Sequence, residues 1–152
     1  MRRSINVLCL SATALVLIST GVVAQQKSLK EQIQGPWSLA SCNNTTAQGV
    51  KTVYCANNPR GILILAGNGN YASTTTAGGR KDANDPAIAA NFGTWSVNET
   101  DKTVTLRFVG ARNPTIEGKD LKLNISLNGE ELRITGINIQ GEKIDSTYRR
   151  FK

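Results

Sequence analysis

Regular alternation of apolar and polar residues is the feature that most restricts what this chain can fold into. Between residues 120 and 127, leucine or isoleucine occupies every second position and polar side chains occupy the positions between them. A period of two is typical of a β-strand with one buried face. Asn68-Gly69 and Asn128-Gly129 separate runs of this kind, and Asn-Gly favours the type I′ turn of a tight hairpin. The pattern therefore predicts antiparallel strands that follow one another in chain order.

These runs predict eight or nine strands joined mostly by tight turns. The segments are 37–40, 50–55 (a weaker run), 61–65, 71–74, 92–97, 104–108, 120–127, 132–134 and 144–150. Segment 61–65 is apolar at four successive positions, which predicts a strand buried on both faces. We expect an all-β fold, an up-and-down antiparallel β-barrel, because closing such a sheet leaves no strand edge unpaired.

Two short helices are predicted outside the strands. Ser28 and Glu31 have the spacing of a capping box and Gly35 is a helix stop, so a short N-terminal helix is expected to close one end of the barrel. Asp85-Pro86 is typical of an N-cap followed by proline at the first helical position. A second short helix, rich in alanine and beginning at these two residues, is therefore expected within segment 75–91. An irregular segment of this length is often a lid or a binding loop.

Residues 1–24 predict a cleaved signal peptide and not part of the fold. Arg2 and Arg3 precede an apolar stretch, 5–18, and Val22-Val23-Ala24 supplies small residues at the cleavage position. The stretch is shorter than the roughly 20 apolar residues of a membrane span, so no membrane span is expected. We expect a single domain, residues 25–152, in the periplasm or secreted.

Two cysteines, Cys42 and Cys55, remain once the signal is removed. An oxidising compartment favours their pairing, and the bond would close a loop of about 14 residues and stabilise the fold by roughly 3 kcal/mol in the chain-entropy model. A redox role usually uses Cys-x-x-Cys, which the sequence lacks. The expected role of the disulfide is structural.

Charge and composition exclude several classes of function. The net charge of +7 falls to +5 without the two signal arginines, and no basic cluster has interleaved aromatic residues, so nucleic acid is not an expected partner. The chain has no histidine, which excludes Ser-His-Asp and Cys-His catalysis and His-ligated metals. The nearest acidic cluster, Asp82 and Asp85, is better explained as a polar loop with an N-cap. We expect no cofactor and no metal ion.

A series of short motifs runs in order through the predicted domain. They are Gly35-Pro36-Trp37-Ser38-Leu39, Pro59-Arg60-Gly61-Ile62-Leu63, Gly69-Asn70-Tyr71, Phe92-Gly93-Thr94-Trp95, Pro114-x-x-x-Gly118 and a basic last strand. This series resembles the bacterial lipocalin-like domain family, which has a calycin-type β-barrel. The resemblance implies a structural pair in which Trp37 packs at the closed end of the barrel beneath Arg150, or beneath Arg149 in a register shifted by one. Cys42 and Cys55 are not part of the family pattern.

The resemblance also implies an interior that binds a small, largely apolar molecule, as in the wider lipocalin group. The side chains expected to face the interior are Leu63, Leu65, Tyr71, Trp95, Leu106, Phe108, Leu123 and Tyr148. They would line a cavity if the barrel is hollow, or fill it if their own volume suffices. Arg107, Arg112 and Arg150 are candidates for holding an anionic head group near its mouth.

Two other functions stay open at this point. A protein-binding barrel, such as a periplasmic enzyme inhibitor or an envelope component, would have a filled interior and act through residues 25–33 or 75–91. An enzyme such as an isomerase or cyclase would depend on Tyr, Arg, Lys or a buried carboxylate, and no constellation in the sequence singles one out. The preferred prediction is a non-catalytic barrel whose partner is a small hydrophobic molecule.

Overall fold

The computed structural model describes residues 26–79 and 87–151. Eight antiparallel strands pair with their neighbours in chain order and the last pairs with the first, which closes the sheet into a barrel. They are β1 (Gly35–Cys42), β2 (Arg60–Leu65), β3 (Asn70–Thr76), β4 (Ile88–Asn98), β5 (Thr103–Ala111), β6 (Asp120–Asn128), β7 (Glu131–Ile137) and β8 (Lys143–Arg150). The predicted all-β, up-and-down barrel is confirmed.

Tight turns join the strands at one end of the barrel, which we call the closed end and which comprises residues 66–69, 99–102 and 129–130. Gly69 and Gly129 have φ values of 86° and 58°, a region that side chains with a Cβ rarely adopt. Both follow asparagine, but Asn68 and Asn128 do not have positive φ, so the type I′ turns that Asn-Gly predicts are not formed although the hairpins are. Between the turns, strand residues alternate between the interior and solvent, and β6 does so over nearly its whole length.

A short helix, α1 (Leu29–Ile33), lies across the closed end. The predicted capping box is present, with Ser28 and Glu31 exchanging hydrogen bonds. The Glu99 carboxylate, from the turn between β4 and β5, accepts two further backbone N–H groups of the first turn at 2.8 and 3.0 Å. Ile33, at the other end of the helix, is fully buried in the core. These contacts fix a helix that is too short to be stable alone.

Trp37 and Arg150 hold the C-terminal end of α1 against the barrel. The indole Nε1 of Trp37 donates to the carbonyl of the last helical residue at 2.7 Å. The guanidinium carbon of Arg150 lies 4.0 Å from the centroid of the Trp37 ring, and its nitrogens donate to the carbonyls of Gln32 and Gln34. Strand pairing places Trp37 opposite Arg150 and not opposite Arg149.

Two predictions for the first half of the chain are wrong. Segment 50–55 is not a strand, because it ends in the 3-10 helix Val53–Cys55, which the disulfide holds beside the end of β1. Strand β2 is buried on one face only, and Ile64 on its outer face is 38% exposed. A single-layered barrel has no second layer to cover that face.

Segment 75–91 also differs from expectation. Strands β3 and β4 pair as far as Thr76 and Ile88, so the connection between them covers only residues 77–87. Residues 88–90, expected in a helix, are strand, because the ladder with β3 outweighs the helix propensity of alanine. The helix start, Asp85-Pro86, lies in residues 80–86, outside the described residues, as does Asp82.

The predicted disulfide is confirmed. Cys42 at the end of β1 is bonded to Cys55, and the two Cα atoms are 5.3 Å apart. The predicted signal peptide, residues 1–24, lies outside the described residues. In the part of the chain that is described, no helix has the length and apolar character needed to cross a membrane. Over the same residues, no three His, Cys, Asp or Glu side chains are grouped as a metal site would need.

Candidate functional site

The longer connections of the barrel lie together at the end opposite α1, which we call the open end. They follow β1, β3, β5 and β7, because successive strands run in opposite directions and every second connection returns to the same end. The connections are 43–59, 77–87, 112–119 and 138–142. Each is longer than the turns at the closed end, so the two ends of the barrel differ in construction.

A cavity of about 600 Å³ occupies the open half of the barrel. Its strand-borne lining is Leu63, Ser73, Thr75, Ile88, Ala89, Ala90, Asn91, Leu106, Phe108, Leu121, Leu123, Ile134, Ile144, Ser146 and Tyr148. The connections add Asn44, Val53, Tyr54, Arg112, Asn113, Pro114, Ile116, Asn138, Ile139, Gln140 and Glu142. The walls are thus mainly aliphatic and aromatic, and the polar groups are concentrated toward the open end. The volume falls within the usual range for small-molecule sites, about 300–1,000 Å³.

The residues predicted to face the interior divide between the two halves of the barrel. Leu63, Leu106, Phe108, Leu123 and Tyr148 line the cavity. The other three, Leu65, Tyr71 and Trp95, do not line it but are buried in the core toward the closed end. That end is filled because α1 and Trp37 pack into it. Strand periodicity shows which side chains point inward. Whether such a side chain lies in the packed or the hollow half depends on which elements pack into each end of the barrel.

The predicted arginines are also separated. Arg107 faces outward and pairs with Asp120 at 3.1 Å, because it alternates with inward-facing neighbours on β5. Arg150 lies at the closed end over Trp37, far from the open end. Of these three arginines, Arg112 alone lines the cavity, and its guanidinium donates to the carbonyl of Ile88 at 3.0 Å. The prediction that Arg107 or Arg150 contacts a head group near the cavity mouth is therefore wrong.

Segment 43–59 extends across the open end. Its 3-10 helix lies against β3 and β4, while the disulfide attaches it to β1. From this helix the Tyr54 hydroxyl reaches the opposite side and donates to Glu142 Oε2 at 2.9 Å. Asn44, near the start of the segment, is buried and accepts from the Asp145 N–H at 2.8 Å and the Ser146 hydroxyl at 3.0 Å. The segment thus forms part of the cavity wall.

Glu142 is the centre of a polar cluster in that wall. Its Oε2 accepts from the Tyr54 hydroxyl and, at 2.8 Å, from the Asn138 side-chain amide. The Asn138 Oδ1 accepts the backbone N–H of Gln140 and of Glu142, which fixes the orientation of the amide. Burial, together with the neighbouring carboxylate, raises the pKa of Tyr54 to about 12. Tyr54 therefore stays protonated at neutral pH and is the donor.

Tyr148 is the most buried phenol of the cavity. Burial raises its pKa to about 12, and hydrogen bonds with Thr75 and Ser146 oppose that shift. Its hydroxyl is therefore a neutral polar group on the mainly apolar inner wall. The sequence patterns identified Tyr148 but missed Tyr54, Asn138 and Glu142. The disulfide offered one signal, since Tyr54 precedes Cys55 and the bond places it at the end of β1.

Fold and cavity together define a class, a small closed β-barrel that is hollow at one end and compatible with a calycin-like fold. Comparison with known proteins finds no family model that matches the chain and no similar sequence among curated proteins. The function has to be argued from the cavity.

Proposed function

We propose that this protein is an exported, lipocalin-like barrel that binds one small, largely apolar molecule in its open half. The observation that supports the proposal is the cavity of about 600 Å³, with mainly aliphatic and aromatic walls, in a barrel whose other half is packed. Protein interiors are normally close-packed, and unfilled apolar space weakens the fold. A ligand that occupies the cavity would supply the missing contacts.

The disulfide supports export. Cys42 and Cys55 are bonded, and such bonds persist mainly in oxidising compartments such as the periplasm or the extracellular space. The predicted signal peptide agrees with this location. A protein-binding barrel with a filled interior is less well supported, because the open half is not filled. Catalysis has little support as well, since Arg112 and Glu142 are the charged side chains among the described lining residues.

Leu106→Trp tests the proposal. Leu106 is 8% exposed and lines the cavity from β5, so the larger indole should occupy space that a ligand needs. We expect the affinity for the apolar fluorophore N-phenyl-1-naphthylamine, measured by titration with the disulfide-bonded protein, to fall at least tenfold. The fold should persist in far-UV circular dichroism.

Ile64→Trp is the matched control. Ile64 lies on the outer face of β2, so the same side chain is added outside the barrel. We expect the affinity for the fluorophore to stay within twofold of the wild-type value. Unchanged affinity in Leu106→Trp would overturn the assignment of the cavity as the binding site.

A further inference from the structure

The Glu142 carboxylate is held by neutral donors from two different connections. Tyr54 comes from the disulfide-linked segment 43–59, and Asn138 precedes β8 in the same connection as Glu142. Both bond to Oε2, at 2.9 and 2.8 Å. The Tyr54 hydroxyl thus reaches a carboxylate 88 residues away in sequence and shares its oxygen with the Asn138 amide. The second carboxylate oxygen, Oε1, has no hydrogen-bond donor among the described residues.

No cation balances this carboxylate within the described chain. The ion pairs of those residues join Arg107 to Asp120, Lys122 to Asp101, Arg133 to Asp145 and Arg149 to Glu131. Glu142 is half-buried in the wall of a largely apolar cavity and takes part in none of them. Charges removed from water are ordinarily paired with an opposite charge. A cationic group bound in the cavity would supply such a partner.

We propose that the ligand is an amphiphile with a primary amine head, and that Glu142, Tyr54 and Asn138 form the subsite for that head group. This inference rests on the proposed function, since it needs a ligand in the cavity. The ammonium donates to the free Oε1, and the apolar chain extends toward Leu106 and Phe108 on the inner wall. Tyr54 and Asn138 position the carboxylate, and charge-assisted hydrogen bonds to it are about twice as strong as neutral ones.

Arg112 is the competing head-group site, and it would favour an anionic head in place of a cationic one. It follows β5, whereas Glu142 lies in the connection that follows β7, two strands further along the sheet. Its side chain is exposed and already donates to the Ile88 carbonyl. Water and salt screen an exposed charge more than a half-buried one. The geometry therefore favours a cationic head at Glu142 over an anionic head at Arg112.

Competition between three single-chain amphiphiles tests the inference. Dodecylamine, dodecanol and dodecanoate are each titrated below their micelle concentration against N-phenyl-1-naphthylamine bound to the disulfide-bonded protein at pH 7. We expect dodecylamine to compete at the lowest concentration. Glu142→Gln keeps an acceptor oxygen for Tyr54 but removes the charge, and it should weaken dodecylamine about tenfold while changing dodecanol less than twofold.

Glu130→Gln is the control, because Glu130 is an exposed carboxylate in a closed-end turn. It should leave all three affinities unchanged. An equal loss of affinity for dodecylamine and dodecanol in Glu142→Gln would overturn the head-group subsite. A loss of affinity for dodecylamine in Glu130→Gln as well as in Glu142→Gln would also overturn it. The subsite would be overturned as well if dodecanoate bound most tightly and Arg112→Gln weakened that binding. If the fluorophore binds but dodecylamine competes no better than the other two amphiphiles, the head-group subsite is wrong and the cavity proposal stands. If the fluorophore does not bind, both proposals are wrong.

Discussion

The polar side-chain atoms near the closed end do not all have a hydrogen-bond partner. The indole Nε1 of Trp37 donates at 2.7 Å and that of Trp95 donates to the Ala66 carbonyl at 2.9 Å. The Tyr71 hydroxyl is also buried, but it has no hydrogen-bond partner among the described residues. Burial raises the pKa of Tyr71, so the phenol is neutral at all ordinary pH values. At the scale of single residues, this hydroxyl is a cost to stability that packing of the ring compensates.

Tyr71→Phe should therefore stabilise the protein. Removing an unpaired buried hydroxyl eliminates a desolvation penalty of about 1–3 kcal/mol, so we expect the free energy of unfolding to rise by about 1 kcal/mol. Urea denaturation with an unchanged m-value measures it. Tyr54→Phe is the matched control, because it loses the bond to Glu142 and should destabilise by about 1 kcal/mol. A loss of stability in Tyr71→Phe would mean that the hydroxyl has a partner.

At the scale of elements, the disulfide has a role beyond stability. It attaches the 3-10 helix Val53–Cys55 to the end of β1 and so brings Tyr54 to the wall of the cavity. The start of segment 43–59 is bonded to β8, through the Asn43 N–H to the Asp145 carbonyl at 2.8 Å and a reciprocal pair between Thr45 and Lys143, whereas residues 46–59 make no backbone hydrogen bond to a strand within the described chain. A segment held by a covalent bond and a few hydrogen bonds depends on the covalent bond for its position.

Replacing both Cys42 and Cys55 by serine should lower stability and weaken binding together. The chain-entropy model gives a loss of about 3 kcal/mol in the free energy of unfolding. The fluorophore should bind several-fold more weakly, because Tyr54 is no longer held at the cavity. The wild-type protein reduced with dithiothreitol should behave the same way. Lower stability with unchanged affinity would show that segment 43–59 takes no part in binding.

At the scale of the whole molecule, the barrel has one packed half and one hollow half. The packed half contains α1, both tryptophans and Tyr71, whereas the hollow half contains Tyr148 and, at its wall, Tyr54. All three tyrosines of the chain have a raised pKa, and burial is the first cause in each case. Together they couple the stability of the barrel to alkaline pH.

Stability should fall as pH rises from about 10 to about 12. Unfolded tyrosine has a pKa of about 10, whereas the folded values for Tyr54 and Tyr148 are about 12. Below pH 10 both states are protonated and these groups make no pH-dependent contribution. Above it the unfolded state loses protons first, which favours unfolding. Absorbance of phenolate at 295 nm should show little ionisation of the folded protein at pH 10, and half-ionisation there without unfolding would contradict the prediction.

Much of the fold follows from local sequence. Strand faces depend on positions i and i+2, and the Asn-Gly turns set where one strand ends and the next begins. These relations predicted the strand order and the inward orientation of residues such as Leu106 and Leu123, and the capping box of Ser28 and Glu31 predicted α1. Local propensity failed where long-range pairing competed with it, as at residues 88–90, where the ladder with β3 replaced a predicted helix.

By itself, the sequence determined which residues point inward, the order of the strands and the pairing of Cys42 with Cys55, because alternation, turns and cysteine positions are properties of neighbouring residues or of composition. Only the tertiary structure decided that one half of the barrel is packed and the other hollow. It also decided that Tyr54, Asn138 and Glu142 meet. The closing contacts join β1 to β8, more than 100 residues apart in cases such as Cys42 and Ser146. No local pattern specifies how deep a side chain lies or which loops converge when a sheet closes on itself.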